Sequence, residues 1–382
     1  STDLINIKTF HMKHHVMVLG AGMVGRAMAW DMARKHKVTA VDRDEKALRL
    51  CRELGLETLE ADLSDHQKIP ELIGDAELVI SAVPGFMGYK VVEAVVVSGK
   101  PIVDISFMPE DFMELQGLAK KHDVAVVTDC GVAPGIPNLV IGRHSLHREI
   151  QRFEYMVGGL PRERKFPFEY KAPFSPIDVL EEYTRPARMM DNGRVVNMPA
   201  MSEPELVYFE GLGHLEAFNT DGLRSLLQTM RHIPYMKEKT LRYPGHIQLI
   251  KSLQAAGFFS EREIPVGRQQ VRPVDVTNHL LMKEWRLEPN EPEFTIMRMI
   301  IEDSQSTDCY DLFDQYDRET GFSSMARTTG FTATAAANML LDGIFTDSGV
   351  FPPELVAREE ACYGYIMDYL AQRNITLRQL PG

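Results

Sequence analysis

Apolar residues fall into two rhythms along this chain. Through about residue 130, short unbroken apolar runs alternate with stretches in which apolar positions return every three or four residues. The runs at 15–19, 37–41, 78–83, 101–105 and 124–128 predict strands, and a further short strand is expected at 57–60. Helical spacing lies between them at 27–35, 45–54, 89–98 and 110–122, for example Leu48, Cys51 and Leu54, or Val91, Val92, Val95 and Val96. Strands and helices alternating at this spacing predict a doubly wound, mostly parallel sheet.

Past Asp129 the rhythm changes. Gly131, Pro134, Gly135 and Pro137 cluster in a rigid turn, the mark of a domain exit. Residues 139–147 read as helix and 152–158 as the start of a strand. Strands and helices then mix to about residue 272, with a hairpin signal at Asp191-Asn192-Gly193 and helices expected at 221–230, 246–256 and 275–283. The stretch 293–303 alternates Phe294, Ile296, Met299 and Ile301 and predicts a strand, whereas 308–320 is acidic and reads as an exposed hairpin. This is an α+β pattern. Residues 324–342 are rich in Ala and Thr, small enough for a helix to pack close to another backbone or a flat ligand. A last helix is expected at 353–373. The expected organisation is therefore a parallel-sheet domain over 1–130, an inserted α+β domain over 131–324, and C-terminal helices over 325–382 that return to the first domain.

The turn after the first strand carries the most specific chemistry. Gly20-Ala21-Gly22-Met23-Val24-Gly25 is a Gly-x-Gly-x-x-Gly placed between strand and helix. Gly20 serves the tight turn, Gly22 lets a pyrophosphate approach the backbone, and Gly25 lets helix and strand pack closely. The following helix points its N–H groups at the phosphates, so Met23 and Val24 join the site through their backbone. Asp42 stands 22 positions after Gly20, at the end of the second strand, where an acid accepts hydrogen bonds from both ribose hydroxyls. These features predict a Rossmann domain holding a dinucleotide. Asp42 favours NAD, because a 2′-phosphate would meet a like charge; Arg43 could accommodate that phosphate if Asp42 turned aside. Asp62, with Leu63 beside it, either bonds the adenine edge or caps a helix near Asp65. Ala82, Val83 and Pro84 end the fourth strand beside the glycine turn, where open α/β sheets bind ligands.

Composition narrows the partners. A chain of 382 residues exceeds one ordinary core, and 44 % hydrophobic with 25 % charged residues fits a soluble globular protein. A net charge of −12 without a long basic run argues against nucleic acid. Cys51, Cys130, Cys309 and Cys362 are far apart and lack Cys-x-x-Cys spacing, which argues against a disulfide framework or a zinc site and for a reducing cytoplasm. No apolar run reaches the ~18 residues of a membrane span. Residues 1–11 are polar with no signal-peptide core, and Met12 is an alternative start. The expectation is a cytoplasmic protein with a small-molecule ligand, no metal and no membrane partner.

Three clusters could carry catalysis. The first lies at the strand ends, where Asp104 and Asp129 each close an apolar run. Each either holds a substrate ammonium or serves as a base, or else caps the next turn; Phe107 follows closely, and Cys130 reads better as a buried thiol than as a nucleophile. The second spans 205–220, where Glu210 and His214 are candidate acid/base groups and Asn219, Thr220 or Asp221 caps the next helix. The third is 239–246, where Arg242 can fork onto a carboxylate, with Tyr243 beside it. The base stays open among Asp104, Asp129, His214 and Glu210.

Together with the glycine turn, Ser81-Ala82-Val83-Pro84-Gly85, Val103-Asp104-Ile105-Ser106-Phe107, Gly131-Val132-Ala133-Pro134-Gly135-Ile136, Thr240-Leu241-Arg242-Tyr243-Pro244-Gly245-His246 and Thr329-Gly330 occur in an order that resembles the saccharopine dehydrogenase-like family. The resemblance runs from residue 16 to about 353. Val132-Ala133-Pro134-Gly135-Ile136 and Leu215-Glu216-Ala217-Phe218-Asn219-Thr220-Asp221-Gly222-Leu223 point within it to the lysine 6-dehydrogenases. Saccharopine reductases resemble it in the first domain but have a longer middle domain and an Asp where Ala133 stands; the family often has a tyrosine where Phe107 stands. The resemblance implies NAD(P)-linked oxidation of a C–N bond. For lysine, hydride leaves C6, the imine is hydrolysed, and 2-aminoadipate 6-semialdehyde cyclises as ammonia departs. Arg242 would anchor the α-carboxylate, with Phe107, Asn219, Thr220 and Tyr243 lining the substrate. The alternatives are a larger secondary amine, such as saccharopine or carboxynorspermidine, and a dinucleotide-binding regulatory protein without turnover. That last alternative would keep Arg242 salt-bridged inside its own domain. Exposed β segments in the middle domain predict a homodimer or homotetramer.

Overall fold

The computed structural model describes residues 14–173 and 176–381; the proposed start at Met12 and the polar residues before it lie outside them. The chain divides into two compact units. One holds the described residues through Cys130 together with Ala333–Phe351, and the other holds Gly131–Thr332 and the residues from Pro352 onward.

The first unit is a seven-stranded sheet built from β1 (His15–Leu19), β2 (Lys37–Asp42), β3 (Glu57–Glu60), β4 (Leu78–Ser81), β5 (Ile102–Asp104) and β6 (Ala125–Val127), with a late strand Gly349–Phe351. Their order is Gly349–Phe351, β6, β5, β4, β1, β2, β3, and every pairing is parallel. Val16, Val18, Leu19, Val79, Ile80, Val103 and Val126 are buried. That burial is why the central runs are apolar: helices cover both faces of a parallel sheet. The register sets Leu19 level with both Val41 and Ser81, and Ser81 level with Asp104. The carboxyl ends that the site requires therefore lie side by side.

Glycine explains two early helix starts. The first helix, Met23–Met32, begins inside the glycine turn, and another covers Gly85–Val97, four residues before its apolar spacing shows. Gly85 and Gly88 carry no apolar signal, yet a Cβ at Gly88 would meet the Ser106 hydroxyl at 2.0 Å. The stretch 110–122 is not one helix. Asp111 caps a 3₁₀ turn, Phe112–Leu115, which passes into Gln116–Lys121. The Ala/Thr-rich segment forms helix Ser324–Leu341. Its second half packs on the first unit, where Thr334 donates to Asp31 at 2.6 Å and Asn338 bonds His36 at 3.0 Å.

The second unit is a mixed sheet. β7 (Arg152–Pro161) lies between β12 (Tyr235–Arg242) and a strand Glu293–Glu302, parallel to the former and antiparallel to the latter. β8 (Ala187–Asp191) and β9 (Arg194–Met198) form the predicted hairpin, with Asn192 and Gly193 at φ of +49° and +72°, as a type I′ turn requires. β10 (Glu205–Phe209) and β11 (Gly213–Asn219) extend the sheet from β12.

Several expectations are corrected here. The stretch 308–320 is no exposed hairpin: Thr307–Gln315 pairs along 294–302, and two of its acids are buried, Asp311 against Arg298 and Asp314 against Arg327. Only Leu226–Thr229 is helical within 221–230, since Gly222 lies hard against the Glu238 side chain and Arg224 has φ of +47°. The last helix is broken into Pro353–Val356 and Glu360–Ala371. The tail from Pro352 belongs to the second unit, so only Ala333–Phe351 returns to the first. Among the described residues no helix is long and apolar enough to cross a membrane, and no three His, Cys, Asp or Glu side chains are grouped to hold a metal.

Candidate functional site

In the first unit β1 hands over to helix Met23–Met32 through three residues. Gly20 has φ of +97° and presses on the Ala82 carbonyl, which a Cβ would approach to 2.7 Å. At Gly25 a Cβ would come within 1.9 Å of the Gly20 carbonyl, so helix and turn meet only because it is absent. Gly22 differs: nothing lies within 4 Å of where its Cβ would stand. The helix start beside it has no acid in its first turn and no side-chain cap. Open space next to uncapped N–H groups is what a pyrophosphate needs, so these residues fit a dinucleotide.

Asp42 ties this turn to β2. Its Oδ2 accepts from the Ala21 N–H at 2.7 Å and its Oδ1 from the Asp44 N–H at 2.9 Å. A carboxylate offers about four acceptor positions, which leaves two for ribose hydroxyls. Arg43 is exposed, 3.9 Å from Asp62. Asp62 is no helix cap; it accepts from the Ser64 N–H and hydroxyl in a tight turn, and those bonds hold its carboxyl below the usual range. Leu63 packs into the core with Met17, Leu19 and Val41. Ala82 donates to the Leu19 carbonyl at 2.8 Å, Val83 is buried, and Pro84 precedes helix Gly85–Val97.

At the same end of the sheet, with β4 between it and β1, Asp104 at the end of β5 is completely buried. It accepts from the Ser106 N–H at 3.0 Å and the Ser106 hydroxyl at 2.7 Å, so it does cap the next turn. Burial nevertheless raises its carboxyl to about 7, helped by the neighbouring Asp129 charge and opposed by Ser106. A carboxyl there exchanges a proton near neutrality, whichever turn it also caps. Asp129 is buried after β6 with φ of +53°, and the Thr128 hydroxyl before it is buried without a partner. Burial, with Asp129, pushes the Cys130 thiol up to about 12, which keeps it protonated and removes it as a nucleophile. Phe107 is half-buried, and its backbone carbonyl lies against Gly85, where a Cβ would come to 2.4 Å.

In the second unit Arg242 ends β12, and it is closed in. Its Nε donates to the Tyr183 hydroxyl at 2.9 Å, Nη1 to the Leu241 carbonyl at 2.9 Å, and Nη2 to the Tyr170 hydroxyl at 3.3 Å and Glu182 at 3.2 Å. Its guanidinium lies 4.3 Å from the Tyr170 ring centre. Thus Arg242 is not the open fork expected from the sequence. Burial lowers the His246 imidazole to about 3, leaving it neutral, and its two nitrogens meet Phe168 O and the Tyr183 hydroxyl, each at 2.9 Å. Trp285 packs edge-on to Tyr170, Tyr183 and Phe168.

Further along the same strand Glu238 is buried and raised to about 8, mainly by desolvation. It accepts from Thr220, whose hydroxyl also meets Thr240 at 2.8 Å. Thr220 therefore serves this network and caps no helix. Asn219 is buried and donates to Ser202 and Glu203, and Tyr243 donates to the Pro161 carbonyl at 2.9 Å. His214 departs most from expectation. It lies exposed on the β10–β11 hairpin against the Tyr208 ring, and Glu210 is an exposed partner of Arg378. Sequence reasoning missed Tyr170, Glu182, Tyr183, Glu238 and Trp285 as a group; only Arg242 and His246 lay in a recognisable motif.

Comparison with known proteins matches residues 16–127 to the model of the saccharopine dehydrogenase NADP binding domain and 131–375 to that of the saccharopine dehydrogenase C-terminal domain. The mitochondrial alpha-aminoadipic semialdehyde synthase of Rattus norvegicus is 24 % identical over 292 residues, 72 % of this chain and 31 % of that protein. The NADP-linked, L-glutamate-forming saccharopine dehydrogenase of Pyricularia oryzae is 27 % identical over 284 residues, 70 % of this chain and 62 % of the enzyme. The chain thus spans about a third of the first relative and under two thirds of the second. The apo L-Glu-forming saccharopine dehydrogenase of Saccharomyces cerevisiae superposes with a TM-score of 0.78 at 19 % identity, covering 96 % of this chain and 99 % of the other, which establishes a shared fold.

Proposed function

The chain belongs to the saccharopine dehydrogenase family, and from that premise we propose that it oxidises a C–N bond of an amino-acid amine with a nicotinamide dinucleotide, L-lysine at its 6-amino group being the first reading. The observation that carries this is Asp104, a buried carboxyl raised to about 7 at a strand end on the same edge of the sheet as the glycine turn. An ammonium has no lone pair to push out a hydride, so the substrate must first lose a proton. A carboxyl that titrates near neutrality takes that proton and releases it again. When bound, the nicotinamide supplies the hydride acceptor. Hydrolysis of the resulting substrate imine gives 2-aminoadipate 6-semialdehyde, which cyclises to piperideine-6-carboxylate, and ammonia.

The dinucleotide in this reading is NAD. Asp42 stands at the end of β2, with two acceptor positions still open beside the turn. The family domain and the fungal relatives are named for NADP; exposed Arg43 is the residue through which this chain would take that cofactor. A second reading, a secondary amine such as saccharopine, draws support from the names of the relatives. The third, dinucleotide binding without turnover, draws support from the closed network around Arg242; Asp104 weighs against it. A homo-oligomer belongs to the same proposal, and gel filtration showing monomer alone would dismiss it.

The deciding experiment follows formation of reduced cofactor from NAD and from NADP with L-lysine, saccharopine and carboxynorspermidine. Turnover of lysine with NAD is expected. Turnover of saccharopine alone would replace the first reading with the second, and cofactor binding with no turnover would leave the third.

A further inference from the structure

Residues 261–270 are exposed without a break, yet the segment around them is not polar. β13 (Ile264–Val266) and β14 (Gln269–Val271) pair with each other and join neither large sheet. Ile264 stands level with Val271 and Val266 with Gln269, so alternation puts these four side chains on one face. Ile264 is 44 % exposed and Val266 54 %. Helix Pro273–Glu284 follows, carrying Val276 and Leu280 four residues apart and hence on one stripe; both are exposed. The Thr277 hydroxyl donates to the Phe258 carbonyl at 2.7 Å, and the Val274 N–H donates to the Ser260 carbonyl at 3.1 Å. Those bonds seat the helix against exposed Phe258. Five of the eighteen exposed large apolar side chains among the described residues thus gather between 258 and 280.

A two-stranded hairpin alone is marginal in water and needs its apolar face packed on something. A gathering of exposed apolar side chains marks a protein contact. Charge identifies the occupant. The chain carries −12 overall, so its copies repel over most of their surface. Residues 258–284 escape that repulsion, because they hold four acids and four bases, among them Glu261, Glu263, Arg268 and Arg272 around the hairpin. Both signs interspersed in equal number make the segment complementary to itself. A two-fold contact demands this, since the same patch must meet its own copy. We propose that residues 258–280 are the surface through which two copies of this chain associate about a two-fold axis. Pro265 has no N–H to give and blunts the β13 edge, so the contact is face to face and not a continued sheet. A stable contact buries roughly 800 Å² on each side, more than the hairpin's few side chains supply, so Phe258, Val276 and Leu280 join it. The exposed edge at β10 is less suited: Tyr208 has its ring against His214 and its carbonyl on Arg298. This inference rests on the homo-oligomer reading above and gives it a location.

Sedimentation velocity of the full chain across a concentration series provides the test. The parent is expected to sediment as a dimer or a multiple of one. Val266→Asp and Leu280→Asp each bring like charges together at the contact and should weaken association at least about tenfold, with the circular dichroism spectrum unchanged. Val266→Lys should do the same alone. An equal mixture of Val266→Lys and Val266→Asp should associate again, because each patch then meets the opposite charge. The double variant Leu206→Asp, Tyr208→Asp is expected to leave association in place. An oligomer that survives both Val266→Asp and Leu280→Asp, loss of association in the β10 variant instead, or a mixture no better than its parts would overturn the inference and leave the homo-oligomer reading standing. A parent that is monomeric throughout would remove both.

Discussion

In the sheet of the first unit the buried acids stand at the ends of strands; in the sheet of the second, charged groups are buried along the face of one. Asp104 and Asp129 lie where β5 and β6 stop, at the carboxyl end of a sheet whose central strands are mainly apolar. Glu238, Thr240 and Arg242 lie within β12, alternating with Lys237, Lys239 and Leu241, and all but Lys237 are buried. The edge arrangement leaves the core intact, and it lets the polar group meet a ligand without crossing the sheet. The face arrangement requires every polar group to find partners inside the unit. That is why Arg242 is so thoroughly bonded, whereas Asp104 is held by Ser106 and faces the like charge of Asp129.

If the edge is the catalytic part, the largest effect belongs to Asp104. Asp104→Asn is expected to lower kcat by about 10²–10⁴-fold while dinucleotide binding stays unchanged; retention of full turnover would break the comparison outright. The same variant tests the burial argument through pH. The folded carboxyl titrates at about 7 and the unfolded one near its ordinary 3.8, so between those values the folded state holds a proton that the unfolded state has lost. Stability from this group is therefore greatest below about pH 4 and declines as pH rises to 7. Glu238 and Glu293, each raised to about 8, act with the same sign over a wider window. Melting temperatures measured at pH 5 and pH 8 should differ less in Asp104→Asn than in the parent.

On the face, the expected loss is of structure. Arg242→Met removes a buried cation and leaves Glu182 and two phenols facing an apolar side chain. A cost of about 3–5 kcal/mol is expected in denaturant unfolding. A smaller change, with weakened carboxylate binding, would show that Arg242 is held more loosely than its bonds suggest.

The glycine turn separates packing from ligand approach within a single motif. Gly25→Ala should destabilise the protein by about 3 kcal/mol or more, because the added carbon would meet the Gly20 carbonyl. Gly22→Ala meets open space, so it should leave the melting temperature in place and weaken dinucleotide binding about tenfold, roughly 1.4 kcal/mol. Asp42→Ala is expected to move the NAD-to-NADP preference by a similar factor, read as the ratio of kcat/KM values. No movement would make Arg43 the cofactor selector.

The same contrast explains what could be read from the chain. A parallel strand buried on both faces announces itself as an apolar run, and the residue that closes it is conspicuous, so Asp42 and Asp104 stood out. The late strand Gly349–Phe351 did not, because three residues carry no period and its partner β6 is more than two hundred positions away. The middle unit hid its site for a related reason. Tyr170, Glu182, Tyr183, Arg242 and Trp285 come from scattered segments, brought together by pairings such as β12 with β7 that no local pattern encodes. Within β12 the charged residues disguise the strand itself: Lys237-Glu238-Lys239 reads as surface, yet Lys239 is buried because Glu154 and Glu205 neutralise it.

His214 marks the smallest expected effect and tests whether residue type alone was a sufficient guide. A histidine among glycines and acids has the right chemistry for a general acid or base, but β11 alternates, and His214 falls on its exposed side, level with Tyr208. An exposed imidazole in contact with one ring has nothing to orient it toward a reacting atom, and its loss leaves no buried group unpaired. His214→Ala should therefore change stability by no more than about 0.5 kcal/mol, with kcat and its pH profile unaltered. A shifted pH profile in this variant would mean that the edge hairpin joins the chemistry, and the division between a catalytic edge and a binding face would have to be redrawn around it.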